Sequence, residues 1–338
     1  MKVLLFGANN APLMKAMAEG MLALGHSVAY RNNNVYREGD YEPCDAAALF
    51  SLHGPGQALL RDYKRQGTPV VVVDYGFVRR GTPHEGRNNP SKYYFSVGLN
   101  GLNGHADFRN HLMPGDRWKA LGAELNPWKA DGKYILVCGQ KTADVAIGNI
   151  IPRVWAQKII SEIQQITTRP VLFRPHPMDP SQKRPIGVPH SEHHTIEEAL
   201  KDAFALVAYN SNSLVDALIA GVPAFALGPG SMVSAVANTD LAQLEDPYRP
   251  DRMQFFHDLA YCQWTINEMK TGAPWVHLFA GTPQGSESAT EESYESARVQ
   301  VSAQSPKDNT SDGASRARIA KARPHNRVER EHALSTGE

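Results

Sequence analysis

The chain has 338 residues, 42% of them hydrophobic, with 35 basic and 35 acidic side chains and a formal net charge of zero. That length and apolar content allow two domains with a core each. The balanced charge argues against nucleic-acid binding by bulk electrostatics alone, while leaving room for a local basic patch.

In chain order, residues 2–6 read as a buried strand, 7–10 as a turn, 13–24 as an amphipathic helix closed by Gly25, and 26–30 as the next strand. The opening is βαβ, but only Gly7 stands where the dinucleotide fingerprint wants three glycines, which disfavours NAD. The first six residues are too short an apolar run for a signal peptide, and no later segment has the length to span a bilayer. Cys44, Cys138 and Cys262 are far apart and show no CxxC or Cys/His spacing, which fits a reducing compartment. A soluble, cytoplasmic protein is expected, in the host cytoplasm if a phage encodes it.

Residues 46–51 and 70–74 continue a parallel sheet around a helix at 56–66. From 76 to 126 the pattern turns to long loops rich in Gly, Asn, Arg and aromatics, and loops of that length inside a domain are usually functional. Basic residues outnumber acidic ones between Arg79 and Lys119. Arg79, Arg80, Arg87, Asn103 and Arg109 are therefore candidates for receiving an anionic acceptor; the competing reading is a solvated irregular surface.

A second sheet begins at Tyr134. Strands are expected at 134–138, 171–173, 205–208 and 224–227, with a helix at 154–166 behind Pro152 and another at 214–220 closed by Gly221. The fold class is α/β, two Rossmann-like domains in series, at 1–130 and 131–280. Residues 261–269, with Trp264 and Trp275, read as a terminal helix packing back across the domain junction, its aromatics as core rather than a ligand platform. Beyond 280 the composition is too polar to bury a core, so 281–338 is expected to be a disordered tail. Its basic run from Arg316 to Arg330 reads as solvated or, alternatively, as a nucleic-acid contact.

Three polar loops leave the carboxyl ends of strands in the second sheet, the edge where open α/β sheets bind ligands. Gly139-Gln-Lys-Thr-Ala-Asp144 follows the first strand, Arg174-Pro-His-Pro177 the next, and Tyr209-Asn-Ser-Asn-Ser213 the third; Gly228-Pro-Gly-Ser-Met232 repeats the device. Asn210, Ser211, Asn212, Ser213 and Ser231 either cap backbone amides or, with those amides, hold a phosphate. His176, fixed between prolines beside Arg174, suits an anionic donor or departing phosphate. Asp144 is a plain cap or a carboxylate at a sugar's anomeric carbon, nucleophile or base.

Gln140 with Asp144 and Ile147, Arg174-Pro-His-Pro177, and Asn210-Ser-Asn-Ser213 followed by Asp216-Ala-Leu-Ile-Ala-Gly-Val-Pro223 together resemble the capsule-polysaccharide synthesis family of bacterial β-Kdo glycosyltransferases. The likeness covers about the second half of the folded region. It implies a GT-B arrangement, a CMP-activated donor and transfer with retention. By it Asp144 is the nucleophile, Gln140 its neighbour in the donor site, His176 a donor-phosphate contact, and Ser211 and Ser213 phosphate ligands. The chain departs from the family in having Asp216-Ala-Leu-Ile219 for Glu-Ala-Leu-Leu, and Gly228-Pro-Gly-Ser-Met232 for a glycine and aromatic run. Residues 93–109 and 261–270 are similar to phage and prophage proteins of unassigned role, which raises a hydroxymethylated DNA base as a possible acceptor.

The expected activity is glycosyl transfer from a nucleotide-sugar substrate, CMP- or UDP-linked, to an anionic glycan or DNA. No cofactor is expected, and no metal, because Asp-x-Asp is absent from the sequence. The alternatives are a sugar-nucleotide epimerase and a non-catalytic nucleotide- or glycan-binding protein.

Overall fold

The structure is a computed structural model that describes residues 1–8, 11–80, 92–179 and 185–280. The expected tail at 281–338 and Arg87 lie outside the described residues.

Short apolar runs build the first sheet. β1 (Lys2–Phe6), β2 (Ser27–Arg31), β3 (Ala46–Phe50) and β4 (Val70–Tyr75) pair in parallel, with α1 (Pro12–Ala23) and α2 (Gly56–Arg65) as crossovers. Alternation along the strands sends side chains to opposite faces. Val3, Leu5, Ala48, Val71 and Val73 pack toward α1, while Leu4, Leu49, Val70 and Val72 pack with Leu59 and Tyr63 of α2.

The region expected to be irregular loop contains a strand, β5 (Tyr94–Leu99), antiparallel to β4, and a short helix, α3 (Asp116–Leu121). Gly98 interrupts the β5 alternation because Phe108 packs over it; a Cβ there would lie 2.6 Å from the ring. That substitution of ring for side chain hides the strand pattern from a reading of periodicity.

The second sheet has strand order β7-β6-β8-β9, all parallel: β6 (Tyr134–Cys138), β7 (Val171–Arg174), β8 (Ala203–Ala208) and β9 (Ala224–Ala226). α4 (Pro152–Ile166), α5 (Ile196–Lys201) and α6 (Ser213–Ile219) are its crossovers. Ile135, Val137, Phe173 and Phe225 pack with Ile160 and Ile163 on one face. On the other, Leu136 and Leu206 join Leu214 and Leu218 in a core that also takes in Phe77, Val78, Phe108 and Trp118 from the first unit. The junction between the sheets is therefore continuous apolar core.

The chain then returns. α7 (Met253–Ala260) leads to β10 (Gln263–Thr265), which pairs antiparallel with β5, so the first sheet runs β10-β5-β4-β3-β1-β2. Two expectations change here. Residues 261–269 are not one helix: a strand comes first, and Thr265 starts the short α8 (Ile266–Lys270) through a capping box with Glu268. Residues 263–265 also sit in the first sheet, although a division at residue 130 assigns them to the second unit. α9 (Ala273–Phe279) closes the described chain, and a Cβ at Gly20 of α1 would fall 2.0 Å from the Met269 carbonyl, so only glycine permits this approach.

Polar side chains fix the return. Gln263 is fully buried; its Oε1 accepts from the Phe77 and Val78 amides at 2.7 and 2.9 Å, and its Nε2 donates to the Val78 carbonyl at 3.0 Å. Arg117 lies 4.0 Å over the Trp264 ring and pairs with Glu268. Trp264 and Trp275 are core residues, as expected from their spacing. His277 is buried against Tyr261 and Trp264, with Nε2 2.8 Å from the Phe108 carbonyl.

Two outcomes follow from these contacts. Gln263→Leu strands three buried backbone groups and should lower unfolding free energy by about 3 kcal/mol or more, read from the urea midpoint. Burial pushes the His277 pKa down from 6.5 to about 4, so between those values the unfolded chain takes up a proton that the folded chain refuses, and stability falls as pH drops through that window. Comparing urea unfolding at pH 7.5 and pH 5, His277→Gln should reduce the loss by about 2 kcal/mol.

Candidate functional site

The strand order places four loops side by side at the carboxyl edge of the second sheet. They are stitched to each other by side chains. Gln140 Nε2 donates to Asn210 Oδ1 at 2.5 Å, and Asn210 Nδ2 in turn donates to the Ala146 carbonyl at 2.7 Å and the Pro229 carbonyl at 3.1 Å. Thr142 Oγ1 donates to Asp179 Oδ2 at 2.6 Å, joining the Gln140 loop to the one after β7. Gln140 and Asn210 are only 5% and 8% exposed. Their carboxamides hold loops together at the floor of the site.

The loop after β6 makes a β-turn in which the Asp144 amide donates to the Lys141 carbonyl at 3.3 Å and Ala143 has φ 59°. Glycine is usual at that third position, and an L-residue there costs about 1 kcal/mol. Asp144 then caps the 3-10 turn Val145–Ile147, its Oδ1 accepting from the Ala146 amide at 2.9 Å. The capping role is thus real and uses one oxygen. The other oxygen of this half-buried carboxylate has no partner among the described residues.

His176 is half-buried, and its Nδ1 accepts from the Met178 amide at 3.1 Å. Burial, reinforced by Arg80 and Lys141 and opposed by Asp144, lowers its pKa from 6.5. The ring is then neutral near pH 7, with its proton on Nε2. This suits donation to an anion rather than proton abstraction.

Arg174 does something other than expected. Its terminal nitrogens donate to the carbonyls of His193 and His194 at 2.7 and 3.0 Å, so the guanidinium braces the 190–194 loop. Ser211 and Ser213 are bonded to each other, Oγ to Oγ at 3.0 Å, and Asn212 Nδ2 reaches across the junction to the Phe77 carbonyl at 3.0 Å. Ser231 is 4% exposed. With Phe77, Asn103, Asn210 and Asn212 it lines a cavity of about 30 Å³, room for a water or two and not for a nucleotide.

Of the residues expected to receive an acceptor, Arg79 donates to the Gly122 carbonyl at 3.2 Å, Arg80 stands 3.8 Å from Asp216 on α6, and Arg109 pairs with Asp107 at 3.1 Å. Asn103 has φ 49°, and its neighbour Gly104 donates its amide to the Gly230 carbonyl at 3.0 Å. Arg80 and Asn103 thus meet the second unit, whereas Arg109 engages its own loop. Burial pushes Asp216 up to about 6 against the opposing charge of Arg80.

Asp74, at the carboxyl end of β4, is a site residue that sequence reading passes over. Alternation sets it on the Val70 and Val72 face, where Val145, the residue after Asp144, packs from the second unit. Its Oδ1 accepts from the Tyr75 amide at 2.7 Å. Burial, with a further contribution from the Asp144 charge, pushes its pKa up to about 6. The signal in the sequence is a carboxylate ending the Val70-Val-Val-Val73 run, but only the junction gives it a partner. Among the described residues no three of His, Cys, Asp and Glu stand close enough together to share a metal ion, and no helix is long and apolar enough to cross a membrane.

No protein-family model and no curated protein matches the chain. Among solved structures it is similar to the β-Kdo 2,4 transferase of Thermosulfurimonas dismutans KpsC, at 14% identity and a TM-score of 0.53 over 80% of this chain and 98% of that one. Looser matches are the β-Kdo 2,7 transferase of the same protein, with 12% identity and a TM-score of 0.45 over 82% and 99% of the two chains, and a Methanocaldococcus jannaschii UDP-GlcNAc 2-epimerase, with 10% identity and a TM-score of 0.27 over 90% and 100%. The first of these establishes the architecture: two Rossmann-like units in a GT-B arrangement, the one implied by the loop motifs.

Proposed function

We propose that the protein is a glycosyltransferase that moves a sugar from a nucleotide-activated donor to an acceptor hydroxyl, with Asp144 as nucleophile and Asp74 as base. The observation that carries this reading is that Val145, next to Asp144, packs on the β4 face that carries Asp74, so that two carboxylates come from opposite units, one with an oxygen that has no partner among the described residues and one with a pKa raised to about 6. Two carboxyl groups flanking an anomeric carbon are what a double displacement requires. Asp144 attacks that carbon as the donor phosphate departs with the bonding electrons, giving a glycosyl ester. Asp74 then removes the proton of the acceptor hydroxyl, whose oxygen attacks the same carbon and releases Asp144. The configuration is retained.

Neutral His176 donates Nε2–H to the departing phosphate, and the junction keeps water from the ester. The donor is a nucleotide sugar, CMP- or UDP-linked, and no step in this scheme needs a metal. A glycan is favoured over duplex DNA as acceptor, because Arg79, Arg80 and Arg109 already have partners within the protein. Phosphate-tracking surfaces need such cations uncommitted.

Thermal denaturation with CMP, UDP, GDP and their sugars tests the donor: one nucleotide should raise the melting temperature, by the equivalent of about 2.7 kcal/mol at a hundred times its Kd. A shift with none of them would sink the reading. Asp144→Asn should keep that shift and lose turnover by about 10³-fold or more, whereas turnover retained would favour a binding protein. The rate should fall about tenfold per pH unit below about pH 6, as Asp74 takes up its proton, and Asp74→Asn should remove that limb while slowing transfer.

A further inference from the structure

We propose that Lys141 is the cation that holds the donor phosphate, the role that the loop motif suggests for Arg174. The inference rests on the nucleotide-sugar reading and adds the residue that fixes its anionic group.

The starting point is a shortage of uncommitted positive charge among the described residues around the second sheet's carboxyl edge. A departing phosphate needs a cation beside it when no metal ion is invoked, and the obvious one is held elsewhere: each terminal nitrogen of Arg174 donates one hydrogen bond, to the His193 and the His194 carbonyl, which turns the guanidinium toward the 190–194 loop. Arg80 is drawn to Asp216 at 3.8 Å. Lys141 is different. It lies between Gln140 and Thr142, each anchored to a neighbouring loop, so the backbone that carries it is held on both sides.

Its own side chain is half-buried and makes no ion pair or hydrogen bond among the described residues. Asp144 closes the turn that Lys141 opens, and Asp179 is bonded to the adjacent Thr142, yet the ammonium pairs with neither. A lysine partly withdrawn from water beside two carboxylates, and paired with none, is placed for an anion that arrives with the substrate.

Position agrees with chemistry. Lys141 and Asp144 are the first and fourth residues of one turn, so their Cα atoms are within about 7 Å. The lysine stem gives the ammonium reach past the anomeric carbon that Asp144 attacks, to the side where the phosphate departs. The loop that carries Lys141 is tied to the loop that carries His176 by the Thr142–Asp179 bond, and the charge of Lys141 is felt at the His176 ring. Together they offer one full charge and one neutral donor to the leaving group, while Asp144 stays unpaired and nucleophilic.

The test compares the nucleotide among CMP, UDP and GDP that binds the wild type with its own nucleoside, by calorimetric titration. Lys141→Met should weaken nucleotide binding about tenfold or more, leave nucleoside binding and the ligand-free melting temperature unchanged, and be rescued by Lys141→Arg. Arg174→Met should lower the melting temperature and keep the preference for nucleotide over nucleoside. Equal weakening of both ligands in Lys141→Met, or a preference lost in Arg174→Met and kept in Lys141→Met, would overturn the assignment while leaving the donor site standing. Failure of every nucleotide to bind the wild type would overturn the donor reading and this assignment with it.

Discussion

One buried carboxamide sets the relation between the two units. Gln263 replaces the ladder partners that the Phe77 and Val78 backbone lacks as the chain leaves the sheet, and does so with both ends of its side chain. Everything at the junction hangs from that turn. Phe77 enters the core shared with Leu214 and Val215, its carbonyl receives Asn212, and three residues on Arg80 reaches Asp216. Gly76 is the condition for it, since a Cβ there would lie 2.9 Å from Gln263 Oε1 and 2.7 Å from the Tyr94 carbonyl. Asp74, the last residue but one of β4, inherits its position from the same turn.

Electrostatically the junction works against itself. Asp74 and Asp216 are carboxylates whose burial raises their pKa to about 6, and Asp144 adds its charge to the field at Asp74. Groups that ionise less readily in the folded state than in the unfolded one cost stability at neutral pH. Apolar residues would pack there at lower cost, as Phe77, Val215 and Val233 do nearby. Buried carboxylates kept at the expense of stability, beside loops anchored by four side-chain bonds, are what a reactive centre looks like and what a simple interdomain seam does not need.

Much of this was legible in the sequence where the physics is local. Tyr134-Ile-Leu-Val-Cys138 reads as a buried parallel strand because it is one, and Pro152 starts a helix for the reason proline usually does. The loops after β6, β7 and β8 were placed on one edge by strand and helix alternation alone. What escaped was non-local. β5 hides because Gly98 makes room for a ring ten residues away, and β10 hides because its middle is short and its neighbours look helical. Thr265-Ile-Asn-Glu268 is a capping box in plain view and marks where α8 begins. The bracing role of Arg174 escaped for a related cause: the carbonyls it serves lie 19 and 20 residues on, in a loop with no pattern to announce it.

The candidate site sharpens when its polar groups are sorted by what each has left to give. Gln140, Asn210, Thr142 and Arg174 are the residues that look most like ligands in the motif, and their donors already serve the loops. Asp144 has spent one oxygen on a cap and His176 one nitrogen on a backbone amide, and in each the spent atom orients the other. Among the described residues Lys141 has spent nothing. A rigid frame of satisfied amides carrying a few half-satisfied groups is the arrangement that lets charge develop without the protein having to reorganise around it. Chemistry is therefore to be sought in the incomplete residues, and the complete ones explain why the incomplete ones stay in place.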